Sequence, residues 1–226
     1  YEISLGLVGS EMCIRDSWTT CELDKIYTAD YYYVKFFDSD NGVIVCGYAK
    51  SNDTNESSRI YSTSNGGESW DIVGSGPATN IIKGVVYVSS DVGFFCYDYV
   101  EGMDSNLYKT DDGGKTFAKV MLEEQELDSS AANPQGQETE TKTDSGKNGA
   151  DSSEQLRWGD VYKEALTPVV DSTGIITIYL TQGKNAVYND GKTAAKYQSS
   201  DKGSTWKYIG QVEICLLYTS DAADER

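Results

Sequence analysis

Residues 108–117 read YKTDDGGKTF: two adjacent acids, two glycines, then a hydroxyl and an aromatic. Alone, the stretch fits a metal loop, a pair of catalytic carboxylates or a scaffold turn. Two other segments align with it without gaps, YSTSNGGESW at 61–70 and YQSSDKGSTW at 197–206. The shared positions are Thr63, Asn65, Gly67, Ser69 and Trp70 in the first, and Thr110, Asp112, Gly114, Thr116 and Phe117 in the second. The third carries Ser199, Asp201, Gly203, Thr205 and Trp206. A pattern that recurs in this way marks a repeat architecture.

Working outward, each segment is followed by a short alternating tail, DIV, AKV or KYI. Upstream of each lies an apolar run, a polar turn and a second apolar run: VKFFDSDNGVIVCGY (34–48), VVYVSSDVGFFCYDY (85–99) and LTPVVDSTGIITIYL (166–180). Val, Ile, Tyr and Phe fill the runs and Gly, Asp, Asn and Ser the breaks, as β-meanders require. No helical periodicity competes with this pattern in the repeats. Each unit therefore reads strand, turn, strand, loop, strand, tight turn, strand. From Trp70 to Phe117 is 47 residues, and from Phe117 to Trp206 is 89. Four-strand repeats run to about 40–50 residues, so the second interval holds an insertion. Residues 123–157 fit it: they contain no aromatic residue and two leucines, too little apolar surface to offset the entropy of ordering. A disordered, low-complexity segment is expected there.

The three ten-residue segments resemble Asp-box, or bacterial neuraminidase repeat, motifs. With their upstream strand pairs they are similar to sialidase-like propellers, to photosystem II assembly-factor propellers and to sortilin-type propellers. The resemblance covers 31–122 and 158–213. It implies an all-β chain, a partial β-propeller of about three four-stranded antiparallel blades, with each box as the hairpin between a blade's two outer strands. Side-chain chemistry agrees with that role. Asn65, Asp112 and Asp201 can accept bonds from backbone N–H groups in their own turn. Gly67, Gly114 and Gly203 supply positive φ, Ser69, Thr116 and Thr205 can close the turn, and Trp70, Phe117 and Trp206 can plug the blade edge. Asn65 in place of Asp suits hydrogen bonding, whereas a general acid or a metal ligand would not tolerate it.

Chemistry has few other places to reside. The chain has no His, which removes His-based triads and metal sites from it. Asp111 and Asp112 lack the alternating oxygens and closing Glu of a calcium loop, so no metal and no cofactor is expected. They also cannot face each other across a substrate as a glycosidase pair must. Asp38, Asp40, Asp91 and Asp171 lie in strand-connecting turns, where propeller enzymes place acids; Asp is also a good turn former. Asp38 and Asp91 are the catalytic candidates. The sialidase resemblance implies three arginines and a Tyr–Glu pair, but only Arg59 and Arg157 are native here. Tyr31, Tyr32, Tyr33, Phe36 and Phe37 form an aromatic patch that is either a sugar platform or, by strand alternation, half core. The sequons in NDTN and NES (52–57) mark a polar loop.

The two ends read differently from the rest. Glu11–Ser17 back-translates to a transposase mosaic end and Cys215–Ser220 to its reverse complement. The expected organisation is thus adapter-derived sequence at 1–17 and 214–226, blades at 18–122, the insertion at 123–157 and a third blade at 158–213. The natural segment, 18–213, is then cut at both ends and lacks blades needed to close, since propellers usually hold about four to eight. Excluding the ends lowers the basic count from 19 to 17 and the acidic count from 36 to 30. The resulting acidic surface argues against nucleic acid and anionic membrane as partners, and no apolar run is long enough for a membrane span. Cys21, Cys46 and Cys96 have no metal spacing, and the latter two sit in strand-like runs as small hydrophobes. Two functions remain: a secreted or cell-surface scaffold binding a glycan or protein, or a glycoside hydrolase of the exo-sialidase type.

Overall fold

A computed structural model describes residues 29–48, 58–77, 80–127, 157–182 and 188–214. Residues 1–17 and 215–226 of the expected adapter-derived ends, Cys21, the sequon loop and 128–156 of the insertion lie outside the described residues; Ile214 is described.

The described chain is almost entirely antiparallel sheet, folded as three consecutive meanders. Blade 1 comprises β1 (Tyr31–Phe36), β2 (Gly42–Gly47), β3 (Ser58–Thr63) and β4 (Asp71–Ser75). Blade 2 comprises β5 (Ile82–Tyr87), β6 (Gly93–Tyr97), β7 (Leu107–Thr110) and β8 (Ala118–Lys119). A four-residue helix, α1 (Trp158–Val161), leads into blade 3: β9 (Tyr162–Ala165), β10 (Val169–Val170), β11 (Ile176–Gln182), β12 (Thr193–Ser199) and β13 (Lys207–Glu213). These are three successive blades of a β-propeller.

Blade 3 departs from the expected four strands in an instructive way. Both β9 and β10 pair with β11 in nearly one register, Ala165 opposite Leu180 and Val169 opposite Thr177. They are one inner strand interrupted at 166–168, where Pro168 has no N–H to give to a ladder. The strand begins at Tyr162, upstream of the run at 166–180 that the sequence marks. The described residues extend to Leu127, inside the segment 123–157, where Leu127 packs with Leu122 against the Trp158–Tyr162–Tyr188 cluster.

Alternation gives every blade two faces. The back face of blade 1 (Val43, Val45, Ile60) meets the front face of blade 2 (Val85, Tyr87, Phe95, Tyr97) in one core. The back face of blade 2 (Phe94, Cys96, Leu107, Val120) meets the front face of blade 3 (Ala165, Ile176, Ile178) in a second. Burial at about 25 cal/mol per Å² of apolar surface makes these cores the main source of cohesion between blades.

Polar joints add direction to the packing. Tyr31 and Tyr33, on alternate positions of β1, accept hydrogen bonds from the backbone N–H of Val85 (3.0 Å) and Tyr87 (3.1 Å) on β5. They cap an inner edge that would otherwise present open amides. Between blades 2 and 3, the buried Asn106 side chain donates to Ala165 O (3.0 Å) and accepts from Ala165 N (2.8 Å). Gly84 permits the same close approach, since a Cβ there would lie 2.1 Å from Thr167 Oγ1.

Candidate functional site

In an up-and-down blade, the turn between the first two strands and the turn between the last two share one end. That end collects every acid singled out in the sequence. The three ten-residue segments each form a closed clasp there. In the second, Thr110 Oγ1 donates to Asp112 Oδ1 (2.8 Å) and accepts from Gly114 N (2.8 Å). Asp112 Oδ1 also accepts from Lys115 N (3.0 Å) and Thr116 N (2.9 Å), and Oδ2 accepts from Thr116 Oγ1 (2.6 Å). Ser199, Asp201, Gly203 and Thr205 repeat this set, with Thr205 Oγ1 to Asp201 Oδ2 at 2.6 Å. In the first clasp Thr63 bonds Asn65 Oδ1 and receives Gly67 N, while the Asn65 amide donates to Ser69 Oγ at 2.9 Å. The last bond has reversed direction, which is how Asn substitutes for Asp.

Two backbone features complete the clasp. Gly67, Gly114 and Gly203 take φ of 90°, 106° and 76°. The preceding residue is also left-handed, Gly66 and Gly113 at 71° and 77° but Lys202 at 57°. The carbonyls of Asp40 and Asp91 accept from Gly66 N and Gly113 N, both at 2.8 Å, tying the first turn of the blade to the clasp. The aromatic residues then pack edge-on: Trp70 on Phe36, Phe117 on Phe95, Trp206 on Phe94 of the preceding blade.

Of the candidate turn acids, Asp38 and Asp171 have carboxylates engaged by their own turns. Asp38 Oδ1 accepts from the N–H of Asp40 (2.8 Å) and Asn41 (2.7 Å), and the Asn41 amide reaches both oxygens. Those bonds, the Asn41 side chain foremost, hold its carboxyl below the usual range. Asp171 is held down by the Thr173 hydroxyl and by backbone N–H groups. Bonds from Thr116 and Thr205 hold Asp112 and Asp201 well below the ordinary carboxylate range. Asp91 contributes through its backbone carbonyl and belongs to a different blade from Asp38. Among the described residues, no group of three or more His, Cys, Asp or Glu could hold a metal ion. Arg59 stands in β3 and Arg157 precedes α1, so they belong to separate elements.

The aromatic patch divides between the two faces of β1. Tyr31, Tyr33 and Phe37 pack against the first core, while Tyr32 and Phe36 are 54% and 44% exposed on the opposite face. Cys46 and Cys96 are free, buried thiols; burial raises both, Cys96 to about 12, which leaves it unreactive.

Sequence reading assigned no separate role to Thr63, Thr110 and Ser199, although a hydroxyl stands at all three positions. Nor did it find the cleft at the other end of the blades. About 410 Å³ in volume, it lies between blades 2 and 3, where Tyr99, Met103, Met121, Arg157, Trp158 and Asp160 line it. Its walls come from segments far apart in sequence that carry no shared motif.

No family model matches the chain, and no curated protein does either. Among solved structures it is similar to YCF48 bound to D1 peptide, at 14% identity and a TM-score of 0.28, over 81% of this chain and 70% of that one. The propeller assignment rests on the sheets and cores described above.

Proposed function

We propose that the chain belongs to a non-catalytic, extracytoplasmic propeller scaffold that binds a glycan or protein partner. The observation that carries this reading is the engagement of the turn and clasp acids. A general acid works with a raised pKa, whereas Asp38, Asp112, Asp171 and Asp201 are all held down by donors in their own turns. They serve as structural acceptors.

The inter-blade cleft is the binding surface on this reading. Its volume falls in the range of ligand sites, and aromatic and thioether walls beside Arg157 and Asp160 suit an amphipathic ligand such as a sugar ring or a peptide side chain. The test is retention of the full chain on arrays of immobilised glycans and extracellular proteins, beside hydrolysis of a fluorogenic sialoside. Saturable retention that Tyr99→Ala removes, with no turnover, is the expected result. Turnover lost in Asp38→Asn or Asp91→Asn would establish the glycoside hydrolase instead.

A further inference from the structure

The register of the inner strands pairs positions between blades. Val34 stands opposite Ile44 as Val85 stands opposite Phe95, and Phe36 opposite Gly42 as Tyr87 opposite Gly93. Val85 and Tyr87 are 3% and 0% exposed, covered by blade 1; Val34 and Phe36 are 57% and 44% exposed. Ile72, on the same front face of blade 1, is 52% exposed. The front face of blade 1 is thus as apolar along its inner strand as a face that is buried elsewhere in the molecule.

We propose that this face is the receiving half of another blade-to-blade joint. Its occupant is a further four-stranded blade of the same repeat, with apolar side chains at the positions of Val43 and Val45 and hydroxyl acceptors at those of Tyr31 and Tyr33. The joint between blades 1 and 2 supplies the template. There, two tyrosine hydroxyls cap the amides of Val85 and Tyr87, and the corresponding edge amides on β1 are those of Val34 and Phe36.

Blade 3 of a second copy is a poorer occupant. At the positions where blade 1 presents Val43 and Ile60, and blade 2 presents Phe94 and Leu107, its back face carries Thr177 and Lys196. A charged ammonium opposite Val34 and Phe36 would be buried without a partner.

The test inserts a second copy of residues 29–80 directly ahead of Ala29 in the full chain. The expected outcome is a higher melting temperature and less binding of an apolar fluorescent dye than the parent. Val34→Lys with Phe36→Lys in the original copy removes the gain, and Tyr31→Phe with Tyr33→Phe in the inserted copy reduces it. An unchanged melt, or a gain that survives the lysines, overturns the proposal. A check independent of the insertion uses the parent alone: it binds the dye, and the double lysine variant binds much less. A parent that binds no dye overturns the proposal. A concentration-dependent dimer that the lysines abolish assigns the face to a second copy and overturns the committed occupant.

Discussion

Thr110 is 1% exposed, and its hydroxyl both donates to Asp112 and accepts from the buried Gly114 amide. Removing it orphans that amide, so Thr110→Val is expected to cost about 1–3 kcal/mol in a urea melt. Asp112→Asn keeps the geometry by the reversal already present at Asn65, and its cost at neutral pH is expected to stay under about 1 kcal/mol. The two changes differ most in acid. Asp112 and Asp201 have folded pKa values below the unfolded one, so their contribution is present above about pH 4 and is lost as pH falls. Stability measured from pH 6 downward should fall in the native chain, and the Asp112→Asn/Asp201→Asn pair should flatten that limb. Lys202 occupies a left-handed site that the sibling clasps give to glycine. Lys202→Gly relieves about 1–2 kcal/mol of steric cost and loses about 0.5–1 kcal/mol in chain entropy. A small net gain in denaturation midpoint is therefore expected.

At the scale of strands, the blades join through close approaches that a single methyl group would spoil. A Cβ on Gly84 meets Thr167 at Oγ1, Cγ2 and Cβ, all within 3 Å. Gly84→Ala is expected to cost about 1–3 kcal/mol, and Gly84→Ala/Thr167→Ala to recover much of it, a coupling that a double-mutant cycle measures. The strands themselves were legible because alternation and β-branched residues leave a periodic trace. The break in the inner strand of blade 3 was not, although Pro168 stood in plain view. The pairing of Tyr162–Ala165 depends on β11, and no apolar alternation marks those four residues. The clasps were legible as a repeat, yet the hub role of Thr63, Thr110 and Ser199 was not, because a hydroxyl advertises neither donor nor acceptor partners. For Tyr31 and Tyr33 the sequence could offer core or sugar platform; capping a neighbouring blade's edge required the neighbour to be in place.

At the scale of the whole molecule, the order of the blades is enforced by bonds that reach from one to the next. Asn106 imitates a strand residue by serving both the N–H and the C=O of Ala165. Asn106→Ala removes both partners in a buried joint, and a loss on the order of 2–4 kcal/mol is expected. The joint with blade 1 should respond less, which hydrogen exchange at Val85 and Tyr87 would read separately. The clasps hold a kinetic consequence. Every side-chain bond in one spans four residues or fewer, so each can form within a single blade as soon as its segment exists. The joints between blades tie residues more than fifty positions apart. Local contacts close quickly and distant ones slowly. The chain should therefore acquire its hairpins first and its blade order afterwards, with each new blade seated on the tyrosines or asparagine of the one before it.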